Sequence, residues 1–218
     1  FYQYFQVTDT VNRFVAELYP DVLPKSAFIG HNYTGLNTDL TFDTRNHKAL
    51  PQRGILWKTV ATGFYSIKDD GKNFVKLQSD LSFYLSFRKD PRFVLAARVG
   101  GATNIGEYEF YHANFLGRKT NLRGFRNNRY AGDHSFYQNT ELRFKLTNIR
   151  NYLLNAQAGL LLFNDIGRVW IDEEDSDKWH NGYGAGIWIS PFDATALTLT
   201  YGISKEDHLI DFTFRYMF

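Results

Sequence analysis

The sequence predicts an all-β chain: a transmembrane antiparallel β-barrel with about nine or ten strands over residues 1–218. Three observations carry that prediction. Phe 20, Tyr 14 and Trp 4 make the chain 17% aromatic, yet its mean hydropathy is only −0.38. Alternating strands with girdles of rings produce that combination. Apolar side chains recur at every second position over runs of roughly 9–13 residues, the length a tilted strand needs to cross a bilayer and about twice that of a sandwich strand. The last run, Ile210 to Phe218, alternates strictly and ends the sequence on an aromatic ring.

No run approaches the roughly 20 apolar residues of a membrane helix. Lys+Arg 25 against Asp+Glu 23 leaves a formal charge of +2, too balanced for a nucleic-acid footprint. Cysteine is absent, which removes disulfides, thiolate metal sites and thiol nucleophiles. The opening Phe1-Tyr2-Gln3-Tyr4 has no initiator Met and no n-region or h-region, so the chain reads as a mature or truncated form.

Phe1 to Val7 reads as a short aromatic strand. Val11, Phe14, Val15 and Leu18 have the spacing of a helical turn, which Pro20 and Pro24 close as a loop. From Gly35, Leu36, Leu40 and Phe42 alternate with Asn37, Asp39, Thr41 and Asp43, and residues 46–54 turn the chain. Ile55 to Ile67 is the next strand, ended by the turn signal Asp69-Asp70-Gly71. Val75, Leu77, Leu81, Phe83, Leu85 and Phe87 then share one face, with Lys76, Gln78, Asp80, Ser82 and Ser86 opposite. After Lys89-Asp90-Pro91, Phe93, Leu95, Ala97 and Val99 face away from Arg92 and Arg98.

Residues 101–134 are rich in Gly, Asn and Arg and read as one long loop, a length that marks a functional segment. Phe136, Thr140, Leu142 and Phe144 then alternate with Tyr137, Asn139, Glu141, Arg143 and Lys145. Leu160 and Leu162 face away from Asp165. An acidic loop covers 171–178, and strands follow at Tyr183–Ile189, Ala196–Ile203 and Leu209–Phe218.

Two segments stand out. Leu122-Arg123-Gly124-Phe125 places an arginine and a glycine in the long loop. Phe163-Asn164-Asp165-Ile166-Gly167 places a carboxylate within an apolar strand, where a charge needs a partner or water. Alternation points Asp165 and Glu141 to the same face of neighbouring strands, and the loop arginine Arg123 is a candidate partner, able to pair bidentately with a carboxylate. Gly124 permits close approach or positive φ, and Phe125 is expected to pack against inward side chains.

Several motifs together resemble the BamA/TamA-type outer-membrane assembly superfamily, the bacterial surface antigen family. Thr41-Phe42-Asp43-Thr44-Arg45-Asn46 followed by Pro51-Gln52-Arg53-Gly54 resembles its strand-turn-strand signature. Leu116-Gly117-Arg118 through Phe125 resembles its in-folded loop, Glu141-Leu142-Arg143-Phe144 the strand that follows, and Phe163 to Gly167 its "F-x-D-x-G" strand. The terminal aromatics Phe212, Phe214, Tyr216 and Phe218 resemble the assembly signal of outer-membrane proteins, although the segment lacks the usual internal glycine.

The resemblance implies a bacterial outer-membrane location in contact with lipid. It implies a non-enzymatic role in inserting nascent outer-membrane proteins, with accessory lipoproteins as further partners. It also implies a clasp inside the barrel formed by Arg123, Gly124, Phe125, Glu141, Asp165 and Gly167. A polypeptide-translocation pore of the two-partner secretion type, or a membrane anchor for an enzyme or lipid-handling domain, are the alternatives. That family's barrel has sixteen strands, so nine or ten imply a fragment or a reduced form.

Chemistry by catalysis finds little support. The six histidines show no metal-ligand spacing, and Gly182-Tyr183-Gly184-Ala185-Gly186 lacks dinucleotide-binding spacing. Asp172-Glu173-Glu174-Asp175-Ser176-Asp177 is a solvated acidic loop before it is a Ca²⁺ site. No catalytic residue, metal, cofactor or nucleic-acid partner is expected.

Overall fold

The computed structural model describes residues 1–5, 31–67, 72–87, 91–118, 121–152, 155–171, 177–192 and 195–214. The helical turn expected at 11–18 and its two prolines, the Asp69-Asp70-Gly71 turn, most of the acidic loop, and Tyr216 and Phe218 lie outside them.

Among the described residues ten strands run up and down in one antiparallel sheet: β1 (Tyr2–Phe5), β2 (His31–Asp43), β3 (Gly54–Ser66), β4 (Phe74–Leu85), β5 (Phe93–Gly106), β8 (His134–Arg150), β9 (Asn155–Trp170), β10 (His180–Pro191), β11 (Leu197–Ile203) and β12 (His208–Thr213). Each pairs with its neighbour in that order, and β1 and β12 form the two edges. Between β5 and β8 the loop carries a short 3-10 turn (Phe110–His112) and its own small hairpin, β6 (Asn114–Leu116) with β7 (Tyr130–Gly132). Among the described residues no helix is long and apolar enough to cross a membrane; strands are the crossing elements.

Period-two alternation sorts the side chains onto two faces. Leu36, Leu40, Leu77, Leu95, Leu160, Leu162, Ile187 and Phe212 are exposed on the outer face, where a barrel meets lipid. Rings concentrate at its two ends. Tyr2, Tyr4, Tyr65, Trp179, Tyr183 and Tyr201 lie toward the long loops, and Phe42, Trp57, Phe87, Phe93, Phe192 and Phe214 toward the short turns. Long loops mark the extracellular end of such barrels and short turns the periplasmic end.

The inner face is buried by chain that folds onto it. Leu50, in the turn between β2 and β3, packs with Leu161, Phe163 and Trp188 of β9 and β10. The sheet therefore curls far enough for strands well apart in sequence to share a core.

The loop begins later than its composition suggests. Residues 101–106 continue β5, bonded to β4 on one side and, through Thr103, to β8 on the other. Gly101 reads as the start of the loop, but it and Gly100 are small for a packing reason. A Cβ on Gly100 would meet the Tyr137 ring, and one on Gly101 would stand 2.7 Å from the Ser135 carbonyl oxygen. The loop proper is 107–133. The periplasmic turn likewise starts at Thr44 and ends at Arg53, because Gly54 already pairs with Tyr84.

Candidate functional site

The loop is anchored at its root before its tip reaches the wall. Lys76 of β4 donates from Nζ to the carbonyl oxygens of His112 (2.9 Å) and Ala113 (3.2 Å), and the Asn104 amide donates to His112 O at 3.0 Å. His112 is buried among Tyr33, Phe64 and Phe74. Burial, with the Lys76 cation beside it, lowers the imidazole pKa to about 4.

The hairpin β6–β7 then carries the tip across β8 and β9. Inside the tip, Gly117 N–H donates to Asn121 Oδ1 at 3.0 Å, and Leu122 N–H returns to Gly117 O at 3.0 Å. The Asn139 amide of β8 holds Asn121 O at 2.8 Å. Leu116, Leu122, Phe125 and Tyr137 form a buried cluster, with Tyr130 and Val169 packed on it. Gly167 provides the space, since a Cβ there would stand 2.9 Å from Leu116 Cδ1.

Arg123 lies at the centre of the tip. Its Nε and Nη2 donate to Asp165 Oδ2 and Oδ1 at 2.7 and 2.8 Å, and its backbone N–H donates to the same Oδ2 at 3.0 Å. Nη1 donates to Glu141 Oε2 at 2.7 Å. The guanidinium also stacks on Phe163, 3.8 Å from the ring centre. Exposure is 6% for Arg123, 2% for Glu141 and 0% for Asp165, so neighbouring protein groups take the place of bulk water around these charges. Burial alone would depress the Arg123 pKa, but Asp165 and then Glu141 outweigh it and hold the guanidinium above its ordinary value.

The charge chain continues downward. Arg143 Nε donates to Glu141 Oε1 at 2.6 Å, and Arg143 Nη1 donates to Pro51 O at 3.1 Å. Glu141 thus joins two inward-folded segments, the extracellular loop through Arg123 and the periplasmic turn through Arg143. Removing one partner of such a buried pair costs about 3–5 kcal/mol, because the remaining charge stays buried.

Glycine shapes the surface that receives the tip. Gly124 has φ +88°, a backbone region that L side chains rarely adopt, and a Cβ there would stand 3.1 Å from Ile203 carbonyl atoms. On the wall, a Cβ on Gly182 would overlap the Arg123 carbonyl oxygen, and one on Gly202 would stand 2.8 Å from Gly124 N. Phe125 sits edge-on to Tyr130 and His180, with ring centres 5.6 and 6.1 Å away.

Three further arginines tie the loop to the last hairpin. Arg118 binds the Asp211 carboxylate and the Ile210 carbonyl of β12. Arg126 Nε donates to Asp207 Oδ2 at 2.9 Å, and Arg129 Nε to Glu206 Oε2 at 2.6 Å.

Arg123, Gly124, Phe125, Glu141, Asp165 and Gly167 therefore meet in one place. Phe212 and Phe214 stand apart from them, 68% and 63% exposed on the outer face of the terminal segment. Sequence reading named Arg118, Arg143, Pro51 and Gly182 within motifs but gave them no part in the clasp, and it did not single out Gly202. The available signal was the stripe of glycines at alternate positions 182, 184 and 186, which marks one flat face of a strand.

Both carboxylates are engaged by arginine, and these ion pairs join the loop tip to β8 and β9. Among the described residues no three His, Asp or Glu side chains are grouped to hold a metal.

No curated protein matches the chain. The crystal structure of BamA from Haemophilus ducreyi lacking POTRA domains 1-3 is similar in fold, with a TM-score of 0.67 and 16% identity. The match covers 84% of this chain and 42% of that one, so the chain spans less than half the length of that relative. Residues 24–216 match the Omp85 superfamily domain, and the chain belongs to that superfamily of outer-membrane β-barrels.

Proposed function

We propose that the chain is part of a barrel that assembles other proteins into the outer membrane without enzymatic chemistry. The observation that carries this reading is the Arg123 clasp, which ties an in-folded loop to the wall of an Omp85-superfamily barrel. In the proposed mechanism a client strand adds to the edge of the terminal strand β12 by main-chain hydrogen bonds, where Ile210 and Phe212 present an apolar ridge to lipid.

In this reading the Arg123 clasp holds the loop against β8–β10 and keeps the barrel shape that presents the edge. Nascent outer-membrane proteins are the clients, and accessory lipoproteins are further partners. A photo-crosslinking residue at Phe212 in the full chain tests this. Adducts with newly exported barrel proteins are expected, together with loss of folded clients when the protein is depleted. Adducts with a single secreted polypeptide would favour a translocation pore instead. No adduct and normal client levels would contradict the proposal.

A further inference from the structure

We propose that the protein forms a two-fold symmetric dimer within the membrane, through a polar patch on its lipid-facing surface centred on Asn164. This rests on the membrane barrel alone and does not depend on the assembly role.

Strand alternation places the patch on the outer face. Leu160 and Leu162 of β9 are exposed there, and Asn164 takes the next outward position, itself exposed. Beside it on β8 the outward positions are Thr140, paired with Asn164, and Gln138, paired with Ile166. Along β9, Asn164 lies between Leu160, which is opposite Phe144, and Trp170, which is edge-on to Trp179. With a rise of about 3.4 Å per residue and a tilt of about 40°, it stands roughly 10 Å or more inside either level. That is hydrocarbon depth.

An amide at that depth needs a partner, because lipid supplies no hydrogen bonds. Other polar side chains on this face close on one another. Trp57 Nε1 donates to Ser79 Oγ at 3.1 Å, and Ser79 Oγ lies 2.9 Å from Thr59 Oγ1. Gln138 Nε2 donates to Thr140 Oγ1 at 2.7 Å. Asn164 differs: among the described residues its side chain has no hydrogen-bond partner.

A second copy of this chain fits the patch. A primary amide carries both donors and acceptors. Two Asn164 side chains meeting on a two-fold axis each give and take one N–H···O bond, which is what an isologous contact requires. The surroundings favour the same occupant. No charged side chain stands at the outward positions of 95–101, 136–144 or 158–166, so like charges do not face each other and a charged partner finds no counter-ion. Ala97 adjoins Thr140, and Leu142 and Leu162 form the next row toward the periplasm. Small and apolar neighbours allow close approach in lipid, and the polar group then adds hydrogen bonding. β8 and β9 lie inside the sheet, away from the β1 and β12 edges, so a strand added at either edge leaves the patch open.

Förster transfer between copies of the full-length protein in liposomes tests the dimer. The chain has no cysteine of its own, so Lys205→Cys, in the exposed turn before β12, carries one donor or one acceptor per copy. Wild type is expected to show transfer that falls as lipid dilutes the protein. Asn164→Leu, which keeps the face apolar and removes the amide, should need about tenfold higher protein density for the same transfer. Thr38→Leu, which removes an exposed lipid-facing hydroxyl on β2, should follow wild type. Unchanged gel mobility of unheated samples establishes that the variants are folded. Transfer in wild type no greater than random proximity would overturn the proposal, and so would a dilution curve for Asn164→Leu equal to that of wild type. Equal weakening by Thr38→Leu would overturn it too, by reducing the effect to general polarity of the lipid face.

Discussion

Replacing Gly182 by alanine adds one methyl group, yet it should unseat a loop whose tip is some sixty residues earlier in sequence. The new Cβ would overlap the Arg123 carbonyl oxygen and stand 3.1 Å from the carbonyl carbon. Both the added group and the obstacle are attached to backbone, so no side-chain rotation relieves the overlap. Restoring ordinary contact lifts the tip by about 1 Å or more. The Arg123 bonds to Asp165 and Glu141 start at 2.7–2.8 Å. A lift of that size takes them to about 3.7 Å, beyond hydrogen-bonding range. The cost is then that of breaking a buried ion pair, about 3–5 kcal/mol, or roughly 10²–10⁴-fold faster exchange from the opened loop. Hydrogen–deuterium exchange over residues 117–126 reads this directly. Gly63→Ala is the control, because its added Cβ would have a nearest neighbour at 4.0 Å and should leave exchange unchanged. Equal exchange in Gly182→Ala and wild type would refute the reasoning, since it would show that the tip does not rest on this wall.

Two other perturbations address the loop's root and its outer arm. His112 has its pKa lowered to about 4 from an ordinary 6.5. A base with a depressed folded pKa contributes stability fully above pH 6.5 and loses it as the pH falls toward 4, because the unseated form binds the extra proton. Loop protection should fall across that window in wild type and less in His112→Phe; parallel profiles would exclude His112 as the cause. Arg118→Ala removes the contacts to Asp211 and Ile210. It should destabilise β12 locally by about 1–2 kcal/mol, read as faster amide exchange over 208–213, with Arg123 still seated. Unchanged β12 exchange would mean that the arginine arms carry no load.

Much of the fold was legible because alternation is a local property of sequence. Tyr137, Asn139, Glu141 and Arg143 fall on one face by counting, and Asp165 falls beside them once β9 is paired. A carboxylate on that face needs a cation, and Arg123 lay on the long Gly-, Asn- and Arg-rich loop that precedes β8. What sequence could not reveal were contacts set by three-dimensional closure. Arg143 is evidently inward, but nothing local says that Pro51, in the turn between β2 and β3, will reach it across the inside of the sheet. Gly182 and Gly202 look like flexible positions, whereas they are small because the tip's backbone lies against them. Gly101 misplaced the start of the loop for the same reason: its size answers to neighbours on β8.

A double-mutant cycle on Arg123 and Asp165 tests the clasp most directly. Unfolding free energies in bilayers would be measured for wild type, Arg123→Ala, Asp165→Ala and the double variant. The geometry predicts non-additivity, with a coupling of about 2–3 kcal/mol, since either single change strands a buried charge that the double change removes. Additive effects, with a coupling near zero, would contradict the clasp and leave the loop held by its apolar cluster alone.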